Sequence, residues 1–407
     1  MVYWNQRSKW EDNNAPKTYL LSCPSMTEWI TIIFIIVIIY RTVNLIGDGL
    51  PMLNLTKTVR IISLSLFVCG IAQANEVMPA ALMQLDDSFS HHVLVAEKST
   101  HQLHLFQNDN GQPKLIKTVQ MATGKKLGDK IFQGDHRTPE GVYQMTEFLT
   151  HDDLIKRHGK AGEIYGVGAF VMNYPNPMDE ADGKTGGGIW IHSTNDETRI
   201  DKGLDSRGCV VTANVDLIDL AKYIELNRTS VVVVHNLNYL KKDAWETERN
   251  SIQKTVETWA KAWQDEDIET YLSQYDNKKF KDRTRGSYGP FASYKRAVFK
   301  APGKPEIRIS DISIMLANDY AVVTFIQDYQ ATNLSDIGKK LLYLKKNEYY
   351  EWKIVSEIWT KQGLENMTDS QAKVAFQPSM RFFNTLNPEQ IMEITPATGS
   401  STQSASN

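Results

Sequence analysis

The sequence predicts two domains of different class: a mainly β domain over residues 88–236 and a smaller α+β domain over 249–363. Three observations carry this. Short β-prone runs recur through the first region, separated by glycine-bearing turns. In the second region a helical period comes first and β-prone runs follow, as in an α+β domain. The chain has 407 residues, 42% apolar and 23% charged, the size and composition of two or three folded domains.

The first 75 residues differ from the rest. The apolar run Trp29–Tyr40 is unbroken but short of the ~17–25 residues that span a bilayer. A second run begins at Met52, with Lys57 and Arg60 as a positive leader, Ile61–Ile71 as a short apolar stretch, and Ala72-Gln73-Ala74 as a small-x-small cleavage site. This is the pattern of a secretory signal peptide over 52–74. Met52 is then the physiological start, and residues 1–51 are an N-terminal extension ahead of it. The alternative is a membrane anchor formed by the whole N-terminus.

In the first domain, His92–Glu97, Gln102–Phe106 and Lys114–Met121 read as strands, with a turn at Asn108–Gly111. Turns at Gly124, Gly128, Gly134, Gly141 and Gly186–Gly188 follow, then a strand over Ile189–His192. The apolar positions 217, 218, 220, 221 and 224 give a helix within Val215–Leu226, and Val231–Val234 closes the domain as a strand. A polar linker is expected over 237–248. Beyond it Ile252, Val256, Trp259, Ala260 and Trp263 lie on one helical face. Strands are expected at Ile307–Met315, Tyr320–Tyr329, Leu341–Lys345 and Trp352–Trp359, and a disordered tail over 364–407.

The net charge is −3, from 45 basic and 48 acidic residues, without the basic excess of a nucleic-acid binder. Three cysteines exclude a disulfide-stapled scaffold and a Cys-rich zinc site. Cys23 lies in the extension and Cys69 in the signal peptide, which isolates Cys209. A lone cysteine in an exported chain is either a packing residue or a reactive thiol. Its surroundings favour the thiol. Gly208 permits a tight backbone whose N–H groups can face a developing oxyanion, and Arg207 adds positive charge. His192 ends a strand, where it can serve as general base, oriented through its other ring nitrogen by a carbonyl such as that of Ser193.

Three elements occur together and in order: Thr138-Pro139-Glu140-Gly141, Ile191-His192-Ser193 and Ser206-Arg207-Gly208-Cys209. In these the region 88–236 resembles the YkuD-type L,D-transpeptidase domain. Gly134–Tyr143 and Asn173-Tyr174-Pro175-Asn176 resemble the branch holding the cell-shape L,D-carboxypeptidases and the enzyme that releases the murein lipoprotein. The family often has His where this chain has Arg207. The resemblance implies a β-sandwich catalytic domain, acting in the periplasm on peptidoglycan stem peptides without metal or organic cofactor. It makes Cys209 the nucleophile that expels the terminal D-Ala and His192 its base. Ser193 orients the base, and the amides of Gly208 and Cys209 form the oxyanion hole. Arg207, Ser206, Trp190 and Thr138 fall on the substrate side. The thioester then meets water or another stem's amine, and both outcomes stay open.

The aromatic spacing Val256, Trp259, Trp263, Tyr271, Tyr275 and Phe280, with Trp352–Val355, resembles the cone-shaped nuclear-transport-factor-2-like fold. Its aromatic residues read as core, and its role stays open between dimerisation, wall binding and a ligand pocket. The other reading of the whole chain is a non-catalytic peptidoglycan-binding module. Two signals are set aside. Ser251-x-x-Lys254 and Lys184-Thr185-Gly186 stand in the wrong order for a penicillin-binding protein. His91, His92, His101 and His104 alternate along short strands and are not expected to converge on a metal.

Overall fold

The computed structural model describes residues 76–332, 334–365 and 376–383. The signal peptide 52–74 and the extension 1–51 lie outside the described residues.

The first domain is built on an eight-stranded sheet. Its spatial order is Val210–Val211, Trp190–His192, Gly168–Met172, Gly141–Thr150, Ser230–Val234, His92–Glu97, Gln102–Asp109 and Gln112–Gln120. The chain leaving the last strand returns to the first. Ala122 and Val211 exchange both backbone hydrogen bonds (2.8 and 2.9 Å), and Thr123–Gly124 runs parallel to Leu204–Ser206. The sheet therefore curls around a core that includes Leu94, Leu103, Met145, Phe170, Ile191 and Val231, filled by Leu217 and Leu220 of the helix Asn214–Ala221. The central strands His92–Glu97 and Ser230–Val234 are buried along nearly their whole length. That explains their continuous rather than alternating apolar runs.

Among the elements of this domain that the sequence does not announce, three stand out. The strand Gly141–Thr150 begins at a glycine that reads as a turn, and Gly168–Met172 lies in a stretch with no expected element. The helix His151–His158 does carry a start signal, because Thr150 and Asp153 form a reciprocal capping box.

The second domain is a five-stranded antiparallel sheet in the order Trp352–Thr360, Leu334–Lys346, Tyr320–Ala331, Glu306–Ala317 and Leu82–Gln84. It packs on the helix Lys242–Gln264 through Trp245, Ile252, Val256 and Trp259. Two expectations about its borders need correcting. The linker is shorter than 237–248, because the helix starts at Lys242; Trp245, in the charged stretch, is fully buried and donates its indole N–H to Leu82 O (3.0 Å). Leu82–Gln84, which precedes the first domain in sequence, pairs with the second domain's sheet.

A third apolar cluster is common to both domains. Val93, Val95, Val142 and Val232 meet Met315, Val322, Leu341 and Tyr343. Burying each such side chain contributes about 1.5–3 kcal/mol, so the domains are fixed on one another by a core. The expectation of a disordered tail fails for 376–383. Phe376 stacks on His91 (3.8 Å, 11° between planes), Phe383 is buried against Phe148, and Arg381 Nη1 donates to Ile224 O (2.9 Å). His91 and His92 also meet, Nδ1 to Nδ1 at 2.9 Å, because His91 lies just outside the strand and escapes its alternation.

Candidate active site

The short strand Val210–Val211 runs parallel to Ile191–His192, with Val211 opposite His192. Cys209 leads into the first of these strands, so the pairing brings it beside Trp190, two residues before His192. The thiol is half-buried, 3.6 Å from Gly188 O and within reach of the Trp190 backbone N–H. His192 is 2% exposed, and its Nδ1 donates to Ser193 O at 2.5 Å. A carbonyl only accepts, so this contact puts the ring proton on Nδ1 and leaves Nε2 as the basic nitrogen. The predicted orienting role of the Ser193 carbonyl thus has its geometry.

Burial dominates the electrostatics. It pushes the Cys209 thiol up to about 11, with the Trp190 N–H and the charges of Arg199 and Lys130 pulling the other way. Burial also lowers His192 to about 4, opposed by its bond to Ser193 and assisted by Arg199. At neutral pH both groups are therefore uncharged. The site therefore stores no thiolate, and any nucleophilic use of this sulfur would require its proton to leave.

Two residues that sequence reasoning missed act on both groups. Tyr165 sits edge-on to the His192 ring (4.9 Å, 83°) and packs on Trp190 (5.0 Å); Cys209 contributes to raising its pKa, after burial. Arg199 is buried: its Nε donates to Asp205 Oδ2 (2.5 Å), and its Nη1 to Thr194 Oγ1 and Ile164 O (both 3.2 Å). It therefore ties together the segment after His192, the loop carrying Tyr165 and the strand before Cys209. Neither announced itself. Arg199 lies in a polar stretch that reads as solvated surface, and Tyr165 lies between glycines.

The other predicted residues divide. Gly208 has φ +134°, and a Cβ there would lie 2.8 Å from Arg137 O and 3.0 Å from Ile189 Cδ1, so only glycine fits. Its N–H, however, donates to Ser206 Oγ (3.0 Å), which itself donates to Cys209 O (2.6 Å). The Gly208 amide is thus not presented to an oxyanion, and Ser206, buried, braces the turn instead of contacting substrate. Thr138 is likewise fully buried, and its hydroxyl accepts from Gly124 N–H (2.9 Å). Both corrections have one cause: hydroxyls beside a tight glycine turn are taken up by its orphan amides. Arg207 is exposed and Trp190 half-buried, and both remain open to a ligand.

The second domain holds a polar centre of its own. Glu357 accepts from Tyr275 Oη (2.8 Å) and Lys340 Nζ (2.9 Å), and Lys295 Nζ lies 3.9 Å away. Burial alone would raise Glu357; the two lysines outweigh it and hold the carboxyl well below its ordinary range. Nearby, a cavity of about 230 Å³ is lined by Trp263, Phe299, Pro302, Tyr329 and Leu334 among others.

A curled β domain that sets a cysteine beside a carbonyl-held histidine, with an α+β domain fixed on its back, defines a two-domain thiol–imidazole protein. Comparison with known proteins narrows the class. Residues 91–233 match the L,D-transpeptidase catalytic domain YkuD, and residues 251–358 match the Cds6 C-terminal NTF2-like domain. Bd1075 of Bdellovibrio bacteriovorus is similar in structure, with 32% identity and a TM-score of 0.60 over 70% of this chain and 99% of that one. The helical cell shape determining protein Pgp2 of Campylobacter jejuni is similar at 26% identity, TM-score 0.55, over 72% of this chain and 98% of that one. A search of curated proteins returned no match. The chain belongs to the YkuD-type L,D-transpeptidase family, in the form that carries a C-terminal NTF2-like domain.

Proposed function

We propose that the protein trims or crosslinks peptidoglycan stem peptides by acyl transfer through Cys209, in the remodelling that sets cell shape. The observation that carries this is the His192 ring, held by the Ser193 carbonyl with its basic nitrogen free, on the strand next to Cys209. In this reading Cys209 Sγ attacks the carbonyl before the terminal D-Ala while its proton passes to His192. The C–N bond breaks, D-Ala leaves with that proton, and a thioester remains. Water or a second stem's amine then displaces the thiol. With the Gly208 amide engaged, the Cys209 N–H is the oxyanion donor nearest the reaction. Arg207 and Trp190 line the substrate side. The similarity to Pgp2 supports a part in cell shape. The second domain adds a wall or ligand contact through its cavity beside Trp263. Export by the signal peptide 52–74 places all of this in the periplasm, and N-terminal sequencing of the native protein tests that placement.

Incubation of the purified protein with a tetrapeptide muropeptide tests the reaction. Tripeptide indicates hydrolysis, and dimers indicate transfer. If neither forms, and cells carrying Cys209→Ala behave as wild type, the enzyme reading fails.

A further inference from the structure

The two loops that contact the thiol site share one anchor, and its far end belongs to the second domain. Loop 183–189 places Gly188 O against the Cys209 sulfur (3.6 Å). Loop 128–138 supplies Arg137 O, which packs on Gly208, and Lys130, whose charge favours the thiolate. The loops bond to each other, Thr185 N to Ile131 O (3.1 Å) and Gln133 N to Thr185 Oγ1 (3.2 Å). Both are held by the same ions. Lys184 Nζ donates to Asp129 Oδ2 (2.6 Å) in one loop and to Asp179 Oδ1 (2.9 Å) in the helix Pro177–Ala181. Asp129 Oδ1 accepts from Glu140 N (2.8 Å), and Asp179 Oδ2 accepts from Tyr143 Oη and Asn176 N (both 3.0 Å).

This chain ends on Tyr320. Its hydroxyl oxygen accepts from Asn176 Nδ2 (3.0 Å) and from Val142 N (2.9 Å). Asn176, fully buried, is the residue that caps the helix carrying Asp179, accepting from Met178 N and Asp179 N. Gly141, the last residue of the Thr138-Pro-Glu-Gly element, has a physical reason here: a Cβ would lie 2.7 Å from Tyr320 Oη and 2.6 Å from Tyr143 Oη. The motif glycine makes room for a side chain of the other domain.

We infer that Tyr320 is a positioning residue for the thiol site: through Asn176, Asp179, Lys184 and Asp129 it sets the two loops that meet Gly208 and Cys209. The second domain thereby helps fix the geometry at the sulfur. For turnover this rests on the reading of Cys209 as nucleophile; for the thiol's own behaviour it does not.

Tyr320→Phe removes only the hydroxyl, and Lys339→Met is its control. Lys339 also bonds across the domain interface, to Asn227 O (2.5 Å) and Gln144 Oε1 (3.3 Å), but lies off this chain. Two readouts are needed: kcat and KM for tetrapeptide trimming, and the pH dependence of Cys209 alkylation by iodoacetamide. In Tyr320→Phe we expect kcat to fall about tenfold with KM little changed, a typical effect for a residue coupled through a network. The alkylation midpoint should move upward as the loop carrying Lys130, whose Nζ stays paired with Asp135 Oδ1 (2.8 Å), shifts as a whole against Cys209. Lys339→Met should lower Tm and leave both readouts alone. The inference is overturned if Tyr320→Phe lowers only Tm, or if Lys339→Met reproduces its effects. If the wild-type protein forms neither tripeptide nor dimers and cells carrying Cys209→Ala behave as wild type, the functional reading fails, and the alkylation profiles still decide the role of Tyr320.

Discussion

Each domain buries a distinctive group of ionisable side chains, Glu357 with its lysines in the second and Cys209 with His192 in the first, and these two groups resolve the cost in opposite ways. In the second domain charge is answered by charge. Glu357 takes hydrogen bonds from Lys340 and Tyr275, Tyr275 accepts from the Trp259 indole N–H (2.7 Å), and the carboxyl stays ionised. In the first domain Cys209 and His192 have no carboxylate against them among the described residues, and burial forces both toward their neutral forms. A compensated buried charge holds a structure together, and losing one partner is costly. An uncompensated pair displaced toward its neutral forms is what the proposed proton transfer from sulfur to imidazole would use.

The largest effect that follows is a separation of activity from stability. Cys209→Ala should abolish tripeptide or dimer formation, a loss of at least about 10³-fold as for removal of a nucleophile, with Tm nearly unchanged. Muropeptide chromatography and thermal melts read the two quantities. Glu357→Gln should do the reverse. It leaves Lys340 and Lys295 without their counter-charge, and breaking such a pair costs about 3–5 kcal/mol. Chemical denaturation measures this, and Cys209 alkylation in the folded variant should match wild type. A stable Glu357→Gln protein would dissolve the contrast between the two groups.

The sequence reveals the uncompensated pair more readily than what supports it. Cys209 and His192 are legible because the proposed roles of nucleophile and base demand particular residue types, and the glycine before Cys209 is demanded by a close approach. The strands His92–Glu97 and Ser230–Val234 are legible because burial on both faces leaves apolar runs. Arg199, Tyr165 and Tyr320 are not legible, since their roles come from contacts between segments distant in sequence. Ser206 and Thr138 were misread for the same reason. A hydroxyl in a motif looks like a ligand contact until the backbone amide that claims it is known. Trp245 and the segment 376–383 show the same limit at the domain borders, where charged or aperiodic stretches are buried by tertiary packing alone.

A smaller effect is expected from pH. Because His192 titrates at about 4, the acid limb of kcat/KM should fall near pH 4 and not near the ordinary histidine value of about 6.5. Stability shifts in the same window. The folded pKa lies below the unfolded one, so between these values the unfolded chain binds more protons. The contribution of His192 is therefore complete above pH 6.5 and is lost as pH falls toward 4. His92, also lowered to about 4 by burial, adds with the same sign, whereas Asp86, raised to about 6 by burial, acts with the opposite sign. The clean measurement is the difference in Tm between wild type and His192→Gln across pH 7 to 4. It should narrow as pH falls, and a constant difference would mean that His192 carries no displaced titration.

The smallest effect tests whether the distinction holds within one domain. Thr138 belongs to the Thr138-Pro139-Glu140-Gly141 motif, yet its hydroxyl accepts from the Gly124 amide. If compensation marks architecture, Thr138 should behave like Glu357 and unlike Cys209, despite its place in the sequence. Thr138→Val keeps the shape and leaves a buried N–H without a partner, which costs about 1–3 kcal/mol. Denaturation should show that loss while KM for the tetrapeptide stays at the wild-type value. A raised KM with unchanged stability would return Thr138 to the substrate side, where its motif first placed it.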